Sequence, residues 1–272
     1  MAGSILSRAE IPPIYSSLGR FGFGSIGLLM IMLGVRPWPK PDKPILYRLI
    51  AMGFCGVALY NICFFSGLRT VPSGRASLMA SLQPSLIFLY SRIVWGEKVT
   101  LKKLIGLTLS LLGAGLVLTQ ADPEKLFATG LGSGDLWILA AVIAWFAYTI
   151  LGRDLANKME PLPATAYSIW AGLAMLLLYA ALTHPPTPNL NTFTFWSTSA
   201  YLGFLGTTLA FLLYLRGLEQ IGAARTSIFI NLVPIFSVLT SNIVLKEPIT
   251  WPTIFGGILA LTGVRLLTAR AA

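Results

Sequence analysis

Residues 64–118 read FFSGLRTVPSGRASLMASLQPSLIFLYSRIVWGEKVTLKKLIGLTLSLLGAGLVL, and residues 214–268 read YLRGLEQIGAARTSIFINLVPIFSVLTSNIVLKEPITWPTIFGGILALTGVRLLT. Laid over each other with a shift of 150 residues and no gap, they are identical at 17 of 55 positions. Apolar bias alone yields Leu matches. It does not place Arg75 on Arg225, Ser77 on Ser227, Pro84 on Pro234, Glu97 on Glu247, Gly106 on Gly256 and Gly113 on Gly263. The chain therefore reads as one unit used twice.

Working outward, the whole chain is 272 residues long, 55% hydrophobic and 11% charged. A soluble domain carries about 25% charged residues to dress its surface. Lipid is the expected solvent for most side chains here. About 20 apolar residues cross a bilayer, and uncharged stretches of that length place spans at 14–34, 45–69, 73–95, 101–120, 135–153, 163–183, 193–218, 223–245 and 251–270. His184-Pro185-Pro186-Thr187-Pro188-Asn189 separates two of them, since no helix tolerates that run. A short apolar stub, 1–9, comes first. The repeated unit thus holds five spans, an odd number, so its second copy enters the membrane from the opposite side. The expected fold is an all-α integral membrane protein, a ten-transmembrane-helix bundle from two inverted five-helix repeats, with the first helix truncated. The first repeat covers 1–120, a linker 121–134, and the second repeat 135–272.

The truncation follows from the copies themselves. Ile150-Leu151-Gly152-Arg153 resembles Ile5-Leu6-Ser7-Arg8, and Pro163 meets Pro13. Before Ile150 the second copy has an apolar run from Leu136 to Thr149, whereas before Ile5 the first has four residues. About ten residues of helix are expected to be missing. The stub would rise only about 14 Å at 1.5 Å per residue.

The net charge of +10 comes from single Lys and Arg residues between apolar stretches, not from basic runs interleaved with aromatics. Nucleic acid is therefore excluded as a partner. With both termini inside, fourteen Lys and Arg collect on the inner side and six on the outer, the arrangement that the positive-inside rule favours. The two cysteines, Cys55 and Cys63, share one apolar stretch and imply neither a disulfide framework nor a metal site.

The paired half-motifs resemble the EamA family of the drug/metabolite transporter superfamily. The resemblance rests on Gly67-Leu68, Arg75-Ala76-Ser77, Pro84, Trp95-Gly96-Glu97-Lys98-Val99-Thr100 and Gly106. Their second copy is Gly217-Leu218, Ala223-Ala224-Arg225-Thr226-Ser227, Pro234, Glu247-Pro248-Ile249-Thr250 and Gly256. Arg20-Phe21 also matches the family's pattern. The resemblance implies a ten-helix exporter or permease with a central cavity. Some members export amino acids, aromatic ones among them, while others move drugs, sugars or nucleotide precursors. The resemblance does not choose among these.

The residues themselves offer a candidate site. Ser77, Ser81 and Ser85 recur every four positions and share a helix face; Ser227 and Asn231 repeat that stripe. Each stripe runs into a proline, Pro84 or Pro234, which leaves the carbonyl four residues earlier, on Ala80 or Ile230, without its donor. Such carbonyls at membrane depth need water or protein partners, so these faces are expected to line a cavity, with both prolines as hinges. Small residues also permit close helix packing, which is the competing account. Asn61 with Phe64, and Thr207 with Phe211 and Tyr214, give a second surface, suited to a small amphipathic solute. Phe64 taken alone reads as core filler. Trp145, Tyr148 and Trp170 are further wall candidates, Trp170 equally an interface anchor. Arg20, about two turns into its helix, either attracts a carboxylate of the solute or snorkels to the headgroups. Gly106 with Gly113, and Gly256 with Gly263, read as packing seams.

No mid-span carboxylate, nucleophile–base pair, metal cluster or phosphate loop is present in these segments. The expectation is thus a transporter and not an enzyme, with no cofactor and no metal, working by alternating access at the plasma (inner) membrane. Amino acids or related amphipathic compounds are the favoured solutes. The alternatives are a multidrug or other metabolite transporter, a lipid-headgroup flippase, which needs a cavity open sideways to lipid, and a non-transporting subunit. Expected partners are a small-molecule solute and the lipid bilayer, with a homodimer left open.

Overall fold

The computed structural model describes residues 12–35, 37–71, 73–97, 100–119, 122, 124, 132–186, 192–233, 235–236 and 250–268, without the side chains of 13, 73, 74, 77, 78, 118 and 268. Among these residues all regular structure is helical. Five helices are long and apolar enough to cross a membrane. They are α1 (Pro13–Leu33), α2 (Lys43–Gly67), α6 (Ser133–Leu155), α7 (Pro161–Thr183) and α8 (Phe193–Gln220). The others are α3 (Ser73–Ala80), α4 (Gln83–Ile93), α5 (Leu101–Thr119), α9 (Ala223–Ser227) and α10 (Trp251–Thr268). The stub 1–9 and Pro234 lie outside the described residues.

The helix starts follow from local chemistry. Prolines open α1 and α7, where their missing N–H costs nothing. Asp42 caps α2 by accepting from Ile45 N (2.9 Å), and Thr192 caps α8 by accepting from Phe195 N (3.3 Å). Asp135 reaches back from the first turn of α6 to the Gly132 N–H (2.8 Å). Helix α7 stops at His184, which takes the left-handed conformation (φ 42°) ahead of Pro185 and Pro186.

Two departures from regular helix matter for the site. Residues 73–95, expected as one kinked span, are two helices separated at Ser81 and Leu82. Pro84 sits in the first turn of α4 and cannot donate to the Ala80 carbonyl, so the ladder stops there. At the matching place in the second copy, α9 tightens into a 3₁₀ turn, Ile228–Leu232. In addition, α2 and α8 each widen into a π-helical segment, Gly53–Leu59 and Phe204–Leu209. The 150-residue shift lays one segment on the other.

Packing depends on glycines at close crossings. A Cβ at Gly113 would lie 2.5 Å from Gly256 O, and one at Gly106 would lie 2.8 Å from Gly263 O. Helices α5 and α10 therefore meet backbone to backbone along the two glycine seams read from the sequence. Gly53 of α2 lies against Gly172 of α7, and Gly203 of α8 against Gly24 of α1. One core, built on Phe21, Leu28, Met52, Tyr148, Ile169 and Phe211, fills the space between α1, α2, α6, α7 and α8. A smaller one, with Phe88, Leu107, Ile228 and Leu267, joins α4, α5, the α9 region and α10. The periphery is apolar: Met30, Leu112, Ile143, Leu178, Phe193 and Ile258 are all more than half exposed. That distribution suits hydrocarbon and not water.

Candidate functional site

A cavity of about 200 Å³ opens beside the break between α3 and α4. Its wall is Tyr60 and Phe64 from α2, Ala80 and Gln83 from the α3–α4 break, Trp145 from α6, and Ile230 and Val233 from the α9 region. Tyr60 and Phe64 stack one helical turn apart (ring centroids 5.6 Å, 9° between planes), and Trp145 tilts against Tyr60 at 5.1 Å. The Trp145 indole nitrogen is buried without a hydrogen-bond partner. The cavity also holds the Gln83 amide. Rings with few polar groups make a surface for a small amphipathic molecule. The two carbonyls that the prolines were expected to free belong to Ala80 and Ile230, both on this wall.

A second layer of aromatics holds Trp145 in place. Its ring lies 5.2 Å from Tyr148, 5.4 Å from Phe211 and 5.3 Å from Tyr214. The Tyr214 hydroxyl pairs with Thr149 Oγ1 (2.7 Å), and Thr149 Oγ1 bonds the Trp145 carbonyl (2.9 Å). Side chains with this many neighbours lose rotamer freedom, so the cavity wall is preformed on the α6 side.

Arg20 is the charged group nearest this constellation that the sequence singled out. Its side chain does not run toward the headgroups. Nε donates to Thr207 Oγ1 (3.0 Å), Nη1 to Asn61 Oδ1 (3.3 Å) and Nη2 to the Gly206 carbonyl (2.9 Å). Gly206 and Thr207 belong to the π segment of α8, whose widened turn releases carbonyls from the regular ladder. Asn61 serves the other π segment in the same way: its Nδ2 donates to Val57 O (2.9 Å) and Gly56 O (3.4 Å). Thr208 Oγ1 donates to Gly24 O (2.9 Å), which fastens α8 to α1. The two irregular segments and the cation therefore stabilise one another. A charge at membrane depth costs about 3 kcal/mol on insertion scales, and hydrogen bonds to a charged group return about 1.5–3 kcal/mol each. Three bonds are enough to hold Arg20 inside the bundle. Every partner is neutral.

The remaining expected residues fall as follows. Thr207 and Asn61 are fully buried and engaged with Arg20. Phe211 packs behind Trp145, edge-on to Phe21 (6.0 Å). Ser227 bonds its own helix at Ala224 O (3.2 Å). Asn231 turns toward α5, donating to Ser110 Oγ (3.0 Å), while Ile230 and Val233 face the cavity. Ser81 is buried at the helix break, and the Ser77 side chain lies outside the described residues. Trp170 packs with Trp38 (5.9 Å) and Tyr167 (5.7 Å), in company with the loop after α1 and not with the cavity aromatics. Tyr60 and Gln83 are wall residues that the sequence reading passed over. Gln83 had a visible signal, as an uncharged amide at mid-span directly before Pro84. Outside the cavity, Arg75 of α3 and Asp135 of α6 form a buried ion pair (Nε to Oδ1 2.8 Å, Nη2 to Oδ2 3.0 Å).

The chain is similar to known proteins over nearly all its length. The uncharacterized transporter YyaM of Bacillus subtilis (strain 168) is 29% identical over 256 residues, which cover 93% of this chain and 83% of that protein. A probable terminal-alkyne amino-acid exporter of Streptantibioticus cattleyicolor is 27% identical over 261 residues, covering 93% of this chain and 83% of its own. A protein of known crystal structure, 21% identical, shares the fold with a TM-score of 0.76 over 98% of this chain and 93% of that one. Residues 1–119 and 132–269 both match the EamA-like transporter family. With two family units, membrane-length apolar helices and an aromatic cavity between them, the chain is an integral membrane transporter that belongs to the EamA-like transporter family of the drug/metabolite transporter superfamily.

Proposed function

We propose that the protein is an exporter or permease that moves small metabolites through the central cavity by alternating access. Amino acids and related amphipathic compounds are its first candidates. The observation that carries this reading is the cavity: an aromatic wall of Tyr60, Phe64 and Trp145 with the Gln83 amide. Rings accept an ammonium group over their faces as well as an apolar side chain. The volume falls below the roughly 300–1,000 Å³ of drug-sized sites, which favours metabolites over drugs. The exporter of S. cattleyicolor, by name an amino-acid exporter, supports the same class.

The architecture we propose is a ten-helix bundle of two inverted five-helix repeats. The glycine contacts support it by their reciprocity. Gly106 meets Gly263 while Gly113 meets Gly256, which are the same two positions exchanged between copies. Gly53 with Gly172, and Gly203 with Gly24, exchange in the same way to within two residues. Along the α5–α10 seam the two sequences run in opposite directions, which an axis in the membrane plane generates and an axis along the membrane normal does not. Ser77, Ser81, Ser227 and Asn231 remain candidates for the solute pathway as the helices rearrange, with Pro84 and Pro234 as hinges. The excess of inner Lys and Arg supports cytoplasmic termini in a plasma membrane.

An apolar groove of about 290 Å³ between α1 and α8 is the feature a flippase would use, but it shares no lining residue with the cavity. Purified protein in liposomes, offered a panel of amino acids and cationic drugs, tests the proposal. Saturable flux of amino acids is expected, and flux of drugs alone would overturn the solute class.

A further inference from the structure

Arg20 is a charged side chain held between its own helix α1 and helices α2 and α8, and no acid among the described residues neutralises it. Its three hydrogen bonds go to a hydroxyl, an amide oxygen and a backbone carbonyl. Among the described residues the buried ion pair is between Arg75 and Asp135, and Arg20 forms none. Guanidinium has five N–H donors in a planar fork. The three bonds occupy Nε and one hydrogen on each terminal nitrogen, which leaves one N–H on Nη1 and one on Nη2. That pair is what a carboxylate engages when it binds bidentately.

The surroundings fit a ligand better than a purely structural tie. Arg20 is half-buried and not sealed into the core. Its bonded neighbour Asn61 sits on α2 between Tyr60 and Phe64, both cavity residues. A tie between α1, α2 and α8 needs donors but not a charge, and a neutral amide would supply donors without the cost of burying a cation. The charge is explained if the bundle is completed by an anion that comes and goes.

The geometry points to Arg20 as the specificity residue that pairs with a carboxylate on the transported solute. The inference rests on the cavity being the solute site. The solute's apolar part lies against Tyr60, Phe64 and Trp145, and its carboxylate faces the two free N–H groups. Amines without a carboxylate leave the cation unpaired and are rejected.

Three probes separate the chemistry: phenylalanine, 3-phenylpropionate and phenethylamine. They share a ring and differ in carrying both charges, the carboxylate alone, or the amine alone. Binding to the full chain in lipid nanodiscs is measured by calorimetry, and uptake into liposomes is measured alongside. Both carboxylates should bind on the order of 100-fold more tightly than phenethylamine, the worth of two hydrogen bonds between charged groups. In Arg20→Gln the carboxylate advantage should collapse, because the two carboxylates lose affinity while phenethylamine, no longer facing a cation, binds at least as well as before. A structural role alone would weaken all three alike, and that result would overturn the inference. If the Gln variant fails to fold, Arg20→Lys keeps the charge but loses the fork. It should cut carboxylate binding by about tenfold, and an unchanged preference would overturn the inference. Replacing chloride with sulfate should leave carboxylate binding as it was. A chloride requirement would assign Arg20 to a free anion instead and overturn it as well. Arg20-dependent carboxylate binding without flux would leave this inference standing and defeat the transport reading. Flux indifferent to Arg20 would do the reverse.

Discussion

Gly113→Ala tests the helix seam most directly. The added Cβ would lie 2.5 Å from the Gly256 carbonyl oxygen and 2.9 Å from Ala260 Cα, with Ala260 N closer still. Ordinary contact begins at 3.4 Å. From 2.5 Å that requires about 0.9 Å of opening, and the atoms in the way are backbone, which cannot swing aside as a side-chain tip can. Overpacking of this kind costs about 1–3 kcal/mol, and rigid neighbours place it in the upper half of that range. Alanine is worth about 0.8–1 kcal/mol over glycine in a helix, which offsets part of the cost. The net is a loss of about 1–2 kcal/mol, or a fall of about 2–8 °C in Tm at 2–4 °C per kcal/mol. Gly257→Ala is the control, because nothing lies within 4 Å of its Cβ and it gains the helix term without the strain. Thermal unfolding of both variants in one detergent, followed by circular dichroism and by loss of monodisperse protein, gives the comparison. If Gly113→Ala is as stable as Gly257→Ala, the backbone-to-backbone crossing of α5 and α10 is wrong.

Removing one partner of the Arg75–Asp135 pair should be the most damaging change outside the seams. Asp135→Asn removes the carboxylate that faces a buried guanidinium, at about 3–5 kcal/mol, and wild-type thermal stability in that variant would refute the buried pair. Tyr214→Phe removes the hydrogen bond to Thr149 but keeps the ring on Trp145. We expect a cost of about 0.5–1.5 kcal/mol in unfolding experiments, with solute selectivity preserved. Trp145→Phe keeps an aromatic wall but leaves space among Tyr60, Tyr148, Phe211 and Tyr214, so some stability should be lost. The KM for transported solutes should rise several-fold, and an unchanged KM for every solute would show that this ring takes no part in the wall. Pro84→Ala restores a ladder donor at the α3–α4 break and should slow transport more than it lowers protein yield; wild-type rates would remove the hinge role.

The sequence by itself determined the class, most of the helix starts and the likeness of the two units, but not the break at Ser81 and Leu82. Apolar length, capping residues, prolines and glycine spacing are local or periodic signals, and each acts within a few residues of where it is written. The seams at Gly106, Gly113, Gly256 and Gly263 were legible because only close backbone approach explains aligned glycines on one helix face. Tertiary structure decided which faces meet. Periodicity puts Asn61 and Phe64 on one side of α2 but does not say what stands opposite. Thr207 lies 187 residues from Arg20, and no local rule joins them. The same holds for Asn231, whose stripe suggested the cavity and whose amide finds Ser110 across the smaller core, 121 residues away. Nor do the π segments have a composition of their own; they persist because Asn61 and Arg20, placed by packing, satisfy the carbonyls that the widened turns release. A buried charge in lipid is tolerated only where such partners converge, and convergence is a property of the folded bundle, not of any segment in it.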